Sequence, residues 1–269
     1  MKSSILLLKS AVIIIVLTAA AFRDFTPTAT IPIAADRIIS DNLGNLFAIT
    51  GNTIKKYNSQ GVFQAEFSLK KVDRFNDADA SDPLKILLFS RNSGEIFRID
   101  NKMTQQGNST NLFNAGLVSP MLACNSYDNG AWIWDNALNE LLRINQNGHI
   151  DQRSENLAGL IPGNPGFTML LEKDFLLFAS SPEYGILVFD RAASYVKTIP
   201  INIVNYFQIL SGKIIYPLEN KLHFFDTRTL TETLLTLPDS ASTNALIEGE
   251  TLFIHQKDSV KIYTTKHTL

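Results

Sequence analysis

Apolar and polar positions along this chain form short runs, and the runs come in pairs. Each pair has an apolar run ending in a bulky residue, a short polar gap, and a second run ending in an aromatic residue or isoleucine. The first runs end at Ile49, Phe89, Trp134, Phe178, Tyr216 and Ile254. The second runs end at Tyr57, Ile99, Ile144, Phe189, Phe225 and Tyr263. The pattern is an internal repeat with six copies.

The repeat predicts β-structure. The two run ends of one copy lie 8 to 11 residues apart, and successive copies lie 36 to 45 residues apart. The runs are rich in β-branched and aromatic residues and are bounded by Gly, Asn, Asp, Ser or Pro, as strands are. A further strand precedes each pair, and another follows most pairs. Four strands per copy predict an all-β, six-bladed β-propeller with four-stranded antiparallel blades over residues 22–269.

The two ends of the chain predict how the ring closes. Thr30-Ile31-Pro32-Ile33 near the N-terminus repeats Thr198–Ile201, which ends the fourth copy. The last copy, ending near Thr265, lacks a fourth strand. We therefore expect the N-terminal segment to join the C-terminal blade as its outermost strand, which removes an exposed sheet edge. Pro32 and Pro200 fit an outermost strand, where proline is tolerated.

One stretch carries a family resemblance. Asp41–Phe63, read as D-x-x-G-N-L-F-A followed by N-x-I-x-x-Y-x-x-x-G-x-F, resembles the NHL-type blade signature. Blade three carries part of it, in Asp128-Asn129-Gly130 and Gly148. The chain therefore resembles six-bladed propellers of the NHL/TolB-like group. That group includes binding scaffolds, lactonases and cyclases, so the resemblance implies the fold and leaves the activity open.

The N-terminal 21 residues predict a secretory signal peptide. Lys2 precedes an apolar run that ends in Ala19-Ala20-Ala21, and cleavage is expected after Ala21. The alternative is an uncleaved membrane anchor. The formal net charge of −2 and pI of about 6.1 provide no basic field for nucleic acid or an anionic membrane. We expect a periplasmic or secreted protein without a direct membrane span after cleavage.

Two features with catalytic associations have structural interpretations. Cys124 is the single cysteine and forms no internal disulfide, so we interpret it as a buried small hydrophobe in preference to a nucleophile. Ser126–Ile133 approaches the sialidase Asp-box, but Trp132 comes one residue early and the segment lies between the first and second strands. We interpret it as a hairpin turn.

Trp134 aligns with the aromatic ends of three other first runs, which favours packing between blades over ligand stacking for both tryptophans.

The sequence supplies no cofactor motif. Its four histidines, His149, His223, His255 and His267, are far apart and lack metal-ligand spacing. Lactonase-like relatives hold a divalent ion through Glu, Asn and Asp side chains in the channel, and no matching set can be numbered here. We predict no cofactor, no metal and no catalytic residue.

The remaining candidates lie on one rim, which carries the loops between second and third strands and those between blades. A mixture of Arg, Tyr and charged residues there is typical of protein-binding surfaces. The candidate rim residues are Arg74, Arg91, Asp135, Glu183, Tyr184, Tyr206 and His255. The Pro- and Gly-rich segment Gly159–Phe167 adds Leu160, Ile161 and Phe167 as exposed apolar candidates, which either contact a partner or fold back on the rim.

These observations favour an exported, non-catalytic scaffold that binds another envelope protein. The alternative is a propeller enzyme or a sugar- or lactone-binding protein with its site at the central channel. Three or more converging carboxylate or amide oxygens in the channel would favour that alternative.

Overall fold

A computed structural model describes residues 25–202, 205–240, 242 and 244–266. In this part of the chain, 24 strands form six four-stranded antiparallel sheets, and two 3-10 turns, Tyr127–Asn129 and Leu157–Gly159, interrupt the loops. The predicted all-β, six-bladed propeller is confirmed. No helix within the described ranges is long and apolar enough to cross a membrane. The predicted signal peptide and His267 lie outside those ranges.

Each sheet is one blade. Blade 1 contains β2 (Arg37–Ser40), β3 (Leu46–Thr50), β4 (Thr53–Tyr57) and β5 (Phe63–Ser68). Blade 2 contains β6 (Asp77–Asp79), β7 (Ile86–Ser90), β8 (Glu95–Ile99) and β9 (Thr110–Asn111). Blade 3 contains β10 (Pro120–Asn125), β11 (Ala131–Asp135), β12 (Glu140–Ile144) and β13 (Ile150–Arg153).

The second half of the ring has the same order. Blade 4 contains β14 (Met169–Lys173), β15 (Leu176–Ser181), β16 (Gly185–Phe189) and β17 (Tyr195–Ile199). Blade 5 contains β18 (Gln208–Leu210), β19 (Lys213–Leu218), β20 (Lys221–Asp226) and β21 (Glu232–Thr236). Blade 6 contains β22 (Asn244–Glu248), β23 (Thr251–His255), β24 (Val260–Thr265) and, outermost, β1 (Phe25–Ile31).

The N-terminal strand β1 pairs antiparallel with β24, from Phe25 opposite Thr265 to Ile31 opposite Val260. The register shifts between Pro27 and Ala29, which marks a β-bulge. Because a bulge adds one residue, it reverses the side-chain alternation beyond it. Phe25 therefore packs toward blade 5, and Ile31 packs toward blade 1.

The strand bounds correct one detail of the prediction. We expected Thr30–Ile33 to form the closing strand, but β1 begins at Phe25 and ends at Ile31. Pro32 therefore lies just beyond this strand, and Pro200 lies just beyond β17. Both prolines follow an outermost strand, where no ladder partner needs their missing N–H.

The apolar core is divided into six clusters, one between each pair of neighbouring blades. Trp132, Trp134 and Cys124 are buried in the cluster between blades 3 and 4, which confirms their interpretation as core residues. Ile161 and Phe167 belong to the same cluster, so the expectation that they are exposed is wrong. Leu160 alone of that loop's three apolar candidates is exposed.

The topology defines two faces of the ring. Because neighbouring strands are antiparallel, turns between first and second strands and between third and fourth strands share one side, here called the hairpin face. Turns between second and third strands and the connections between blades share the other side, here called the linker face. The first strands surround the central channel, which opens on both faces.

Candidate functional site

Three candidate rim residues on the linker face are engaged by the fold itself. Asp135, at the end of β11, is fully buried, and its carboxylate accepts hydrogen bonds from the backbone N–H groups of Val118, Ser119, Ala137 and Leu138 at 2.7–3.1 Å. Arg91 donates Nε and Nη2 hydrogen bonds to the carbonyl oxygen of Met121 at 3.2 and 2.9 Å. These side chains fix the turns and the contact between blades.

His255 is also buried, and its Nε2 lies 3.0 Å from the carbonyl oxygen of Ala35. Burial lowers the pKa of His255, and the hydrogen bond to Ala35 opposes that change. This contact joins β23 of the last blade to the segment that follows β1. It therefore belongs to the closure of the ring.

The other four candidate rim residues are more accessible. Arg74 and Glu183 are exposed, and an Arg74 guanidinium nitrogen lies 3.8 Å from Asp36. Tyr184 is half-buried and donates its hydroxyl hydrogen to the carbonyl oxygen of Pro162 at 3.1 Å. Tyr206 is half-buried at the channel. The seven residues are spread over four blades and two connections between blades, and they do not form one cluster.

The central channel contains a cavity of about 140 Å³, bordered by the first strands of blades 1, 2, 4 and 5 and by Glu248. Near its linker-face mouth, Arg37 forms an ion pair with Asp77. Burial raises the pKa of Asp77, although Arg37 and the N–H groups of Ala123 and Ala78 act against this. Burial likewise raises the pKa of Tyr206, so its phenol stays protonated at neutral pH.

Two of the channel carboxylates, Asp77 and Asp79, accept hydrogen bonds from backbone groups of the ring. Asp79 accepts hydrogen bonds from the N–H groups of Ser81 and Asn125 at 2.7 and 2.8 Å. No group of three His, Cys, Asp or Glu side chains able to hold a metal ion is found among the described residues. The channel is lined by both polar and apolar groups and can accept a small polar molecule.

A buried polar network lies at the hairpin face between blades 3 and 4. The Glu172 carboxylate accepts hydrogen bonds from Ser126 Oγ at 2.5 Å, Trp132 Nε1 at 2.6 Å and the Tyr127 N–H at 3.3 Å. Arg143, whose side chain is 2 % exposed, donates its Nε hydrogen to Ser126 Oγ at 2.8 Å and pairs with Asp151. The network holds the turn between β10 and β11 in one position against β14.

Gly130 is required by the same network. A Cβ built at Gly130 would lie 2.6 Å from the carbonyl oxygen of Ile144 and 2.7 Å from Arg143 Nη2, inside van der Waals contact. A glycine at this position therefore allows the Arg143 guanidinium to pass under the turn. Within the segment Ser126–Ile133, residues 126–130 form the turn predicted between the first two strands, and residues 131–133 begin β11. The turn also anchors two blades to each other.

Above this network lies an exposed group of aromatic and arginine side chains. The guanidinium carbons of Arg143 and Arg191 lie 3.5 and 4.0 Å from the Tyr127 ring centroid. Arg191 also lies 4.7 Å from the Phe175 ring centroid, and the Tyr127 and Phe175 rings meet edge to face at 6.4 Å. We call Tyr127, Phe175 and Arg191 the aromatic–arginine surface.

Apolar side chains are exposed in further turns of the hairpin face. Leu43, Leu84 and Phe175 stand in the turns between first and second strands of blades 1, 2 and 4 and are 64 %, 59 % and 58 % exposed. We call these three the tip residues. Because first strands line the channel, the tip residues lie around its mouth. Val62 and Leu230 are exposed in turns farther out on the same face.

Sequence reasoning missed the aromatic–arginine surface and the Arg37–Asp77 pair. The alternation in Asn76-Asp77-Ala78-Asp79 was a usable signal for the pair, because residues two apart on a first strand point to the same side. Tyr127, Phe175 and Arg191 come from two blades and are 48 and 16 residues apart in sequence. No local pattern connects them.

No protein-family model and no curated protein sequence matches this chain. Among solved structures, virginiamycin B lyase from Staphylococcus aureus superposes with a TM-score of 0.60 at 16% identity, over 89% of this chain and 99% of that one. BamB from Moraxella catarrhalis gives 0.54 at 12% identity, over 91% and 99%. The likeness is one of fold. The Pan2 WD40 domain from Neurospora crassa gives 0.55 at 10% identity over 91% and 96%.

These neighbours are β-propellers and are consistent with the NHL/TolB-like resemblance. They include an enzyme, the lyase, and proteins whose names state no reaction. At these identities the activity of none of them transfers to this chain.

Proposed function

We propose that this protein is an exported scaffold that binds another protein of the cell envelope through its hairpin face. The observation that carries the proposal is the set of tip residues, Leu43, Leu84 and Phe175, exposed around one mouth of the channel. Exposed apolar groups on one face of a rigid ring favour association because their burial removes them from water.

The size of the channel cavity weighs against the enzyme alternative. Pockets for small-molecule substrates usually enclose about 300–1,000 Å³. The channel cavity of about 140 Å³ is smaller. Asp77 and Asp79 in its lining also accept hydrogen bonds from the ring's own backbone. A sugar- or lactone-processing site in the channel therefore has less support than a docking face.

The test compares two matched triple variants. The hairpin-face variant carries Leu43→Ser, Leu84→Ser and Phe175→Ser, and the linker-face control carries Phe113→Ser, Val118→Ser and Leu160→Ser. Each set removes three exposed apolar side chains. A photoreactive amino acid at Gln60, on the outer part of the hairpin face, captures the partner in cells, and the purified pair is then reconstituted.

We expect the hairpin-face variant to lose the cross-linked partner and the reconstituted complex, while the control keeps both. Loss of binding only in the linker-face control would move the docking surface to the candidate rim residues and overturn the proposal. Failure to reconstitute any complex with a captured protein would also count against it.

A further inference from the structure

We propose that the aromatic–arginine surface binds a carboxylate-bearing segment of the partner protein, with Phe175 as the apolar anchor and Arg191 as the carboxylate receptor. This inference rests on the proposed function and names the chemistry of the partner. It is carried by the guanidinium of Arg191, unpaired among the described residues, by the backbone conformation of Phe175 and by two depressions, one lined by Phe175 and the other by Tyr127.

Arg191 is held ready for an anion. Its guanidinium lies over two aromatic rings, Tyr127 and Phe175, which fix its plane. In the described part of the chain no ion pair or hydrogen bond involves its side chain, although the residue is exposed. A guanidinium matches a carboxylate with two parallel N–H···O bonds. Stacking leaves its edge free for such a pair.

Tyr127 is itself immobilised from below. Arg143 approaches its ring at 3.5 Å, and the half-buried Glu172 carboxylate accepts a hydrogen bond from its backbone N–H. The receptor is therefore ordered before a partner arrives, which lowers the entropy cost of binding. Tyrosine and arginine are the residue types that dominate binding energy at protein interfaces.

Phe175 occupies a turn that does not suit it. Asp174 and Phe175 have φ values of 51° and 62°, and the equivalent turn of blade 5 uses Ser211-Gly212 in the same region. Positive φ at both central positions favours Asn-Gly, whereas a bulky residue there is strained. The Phe175 ring is exposed and stays outside the apolar core, with Tyr127 and Arg191 as its aromatic and cationic contacts. Strain of this kind is typical of functional positions.

The surroundings provide room for a peptide segment. A depression of about 320 Å³ is lined by Phe175, Glu172 and Asn125, and one of about 360 Å³ lies across the turn beside Lys85 and Arg98. Lys85 and Arg98 hydrogen-bond to amide and carbonyl oxygens, and neither is among the ion pairs of the described residues. Asp82 lines both depressions, Asp174 lines the first and Asp128 the second, so the attraction is directed at Arg191 and is not a general positive field.

The test uses two short fluorescent peptides, one alternating Asp and Glu with Leu and Phe, and a counterpart with Asn and Gln in place of the acids. We expect the full mature protein to bind the acidic peptide and to discriminate against the amide peptide. Arg191→Glu and Arg191→Gln should each weaken binding about tenfold or more, since a charge-assisted hydrogen bond is lost. Arg191→Lys should retain part of the binding of the acidic peptide.

Phe175→Gly separates a binding role from a structural one. We expect this substitution to raise the midpoint of thermal unfolding, because glycine accepts positive φ. We also expect it to weaken binding of the acidic peptide. A lower midpoint would show that Phe175 serves the fold and would overturn its part in the proposal. Equal binding of both peptides, no binding by the wild type, or unchanged binding by Arg191→Glu would overturn the carboxylate receptor.

The two proposals fail in different ways. If the acidic peptide does not bind but capture of the cross-linked partner still depends on Leu43 and Leu84, only the proposal of a carboxylate receptor is rejected. If no complex forms through the hairpin face at all, both the carboxylate receptor and the proposed function are rejected.

Discussion

The linker face carries the connections between blades and the hairpin face carries only turns within blades, and the two faces leave different groups exposed. On the linker face, Asp135, Arg91 and His255 are bound to backbone groups of neighbouring turns. On the hairpin face, the buried network of Glu172 and Arg143 completes the fold, and Arg191 and the tip residues remain above it. Polar residues in a turn therefore say little about function until their partners are known. The proposed docking face rests on the groups that stay exposed once those partners are counted.

Both faces exist only while the ring is closed, so deleting Phe25–Ile31 should have the largest effect on stability. The deletion removes six residue pairs with β24 and the buried side chains of Phe25 and Ile31. Ladder hydrogen bonds contribute about 1 kcal/mol each, and each buried side chain contributes about 1.5–3 kcal/mol. The sum is comparable to the net stability of a domain, about 5–15 kcal/mol.

Thermal melts and size-exclusion chromatography measure this effect. Phe25→Ser with Ile31→Ser, in the intact strand, separates the side-chain contribution from the ladder. A truncated protein that stays monomeric and melts within a few degrees of the full mature chain would contradict closure by β1.

Asp135→Ala should produce the next largest effect and would sharpen the assignment of the linker face to the fold. The substitution removes a buried carboxylate and leaves the backbone N–H groups of two neighbouring turns, four in all, without their acceptor. We expect a loss of about 3 kcal/mol in the free energy of unfolding, measured by urea denaturation. Asp135→Asn, which keeps one acceptor oxygen, should lose less. Equal stability of both variants and the wild type would return Asp135 to the list of interaction candidates.

His255 should make the linker face sensitive to pH. Burial lowers its pKa in the folded state below the ordinary 6.5, so the unfolded chain binds a proton more readily. The stability is fully present above pH 6.5 and decreases as the pH falls through the range between the two pKa values. Denaturation midpoints across this range should decline for the wild type. In His255→Gln this part of the decline should disappear, and an unchanged slope would contradict the assignment.

The smallest effect on stability is expected from the hairpin face. Leu43→Ser and Leu84→Ser alter side chains that are more than half exposed. Each should change the free energy of unfolding by no more than about 0.5 kcal/mol. Urea denaturation of the single variants measures this. A loss above about 1 kcal/mol for either would mean that the tip residue serves the fold.

The strands were predictable because each core position repeats in every blade. The second strands of the predicted pairs end at Tyr57, Ile99, Ile144 and Phe189 in both the pattern and the structure. The two-residue strand β9 was not predicted, since its segment is polar and contains no apolar run. Strand geometry depends on a local period of two residues, which one sequence displays directly.

The candidate site was less predictable because it depends on contacts between blades. A rim position was assigned from topology alone, which gives the face of a residue but not its hydrogen-bond partner. Asp135 and Glu183 are both acids in linker-face turns, but one is buried and the other exposed. The same limit applies to Arg143 and Arg191, one of which is buried beneath Tyr127 and the other exposed above it.

The bulged strand β1 has a consequence for the order of folding. Thr28 and Thr264, whose hydroxyls lie 3.1 Å apart, are separated by 236 positions in the chain. From a disordered chain, joining such distant segments costs about 3–4 kcal/mol more in conformational entropy than closing a short hairpin. Once the five intervening blades have folded, the two ends are already neighbours and most of that cost is gone. The first strand to be synthesised is then the last to pair, and until it does, β24 can accept β1 from a second molecule. At high concentration during refolding, this competition would produce strand-exchanged dimers whose fraction increases with concentration.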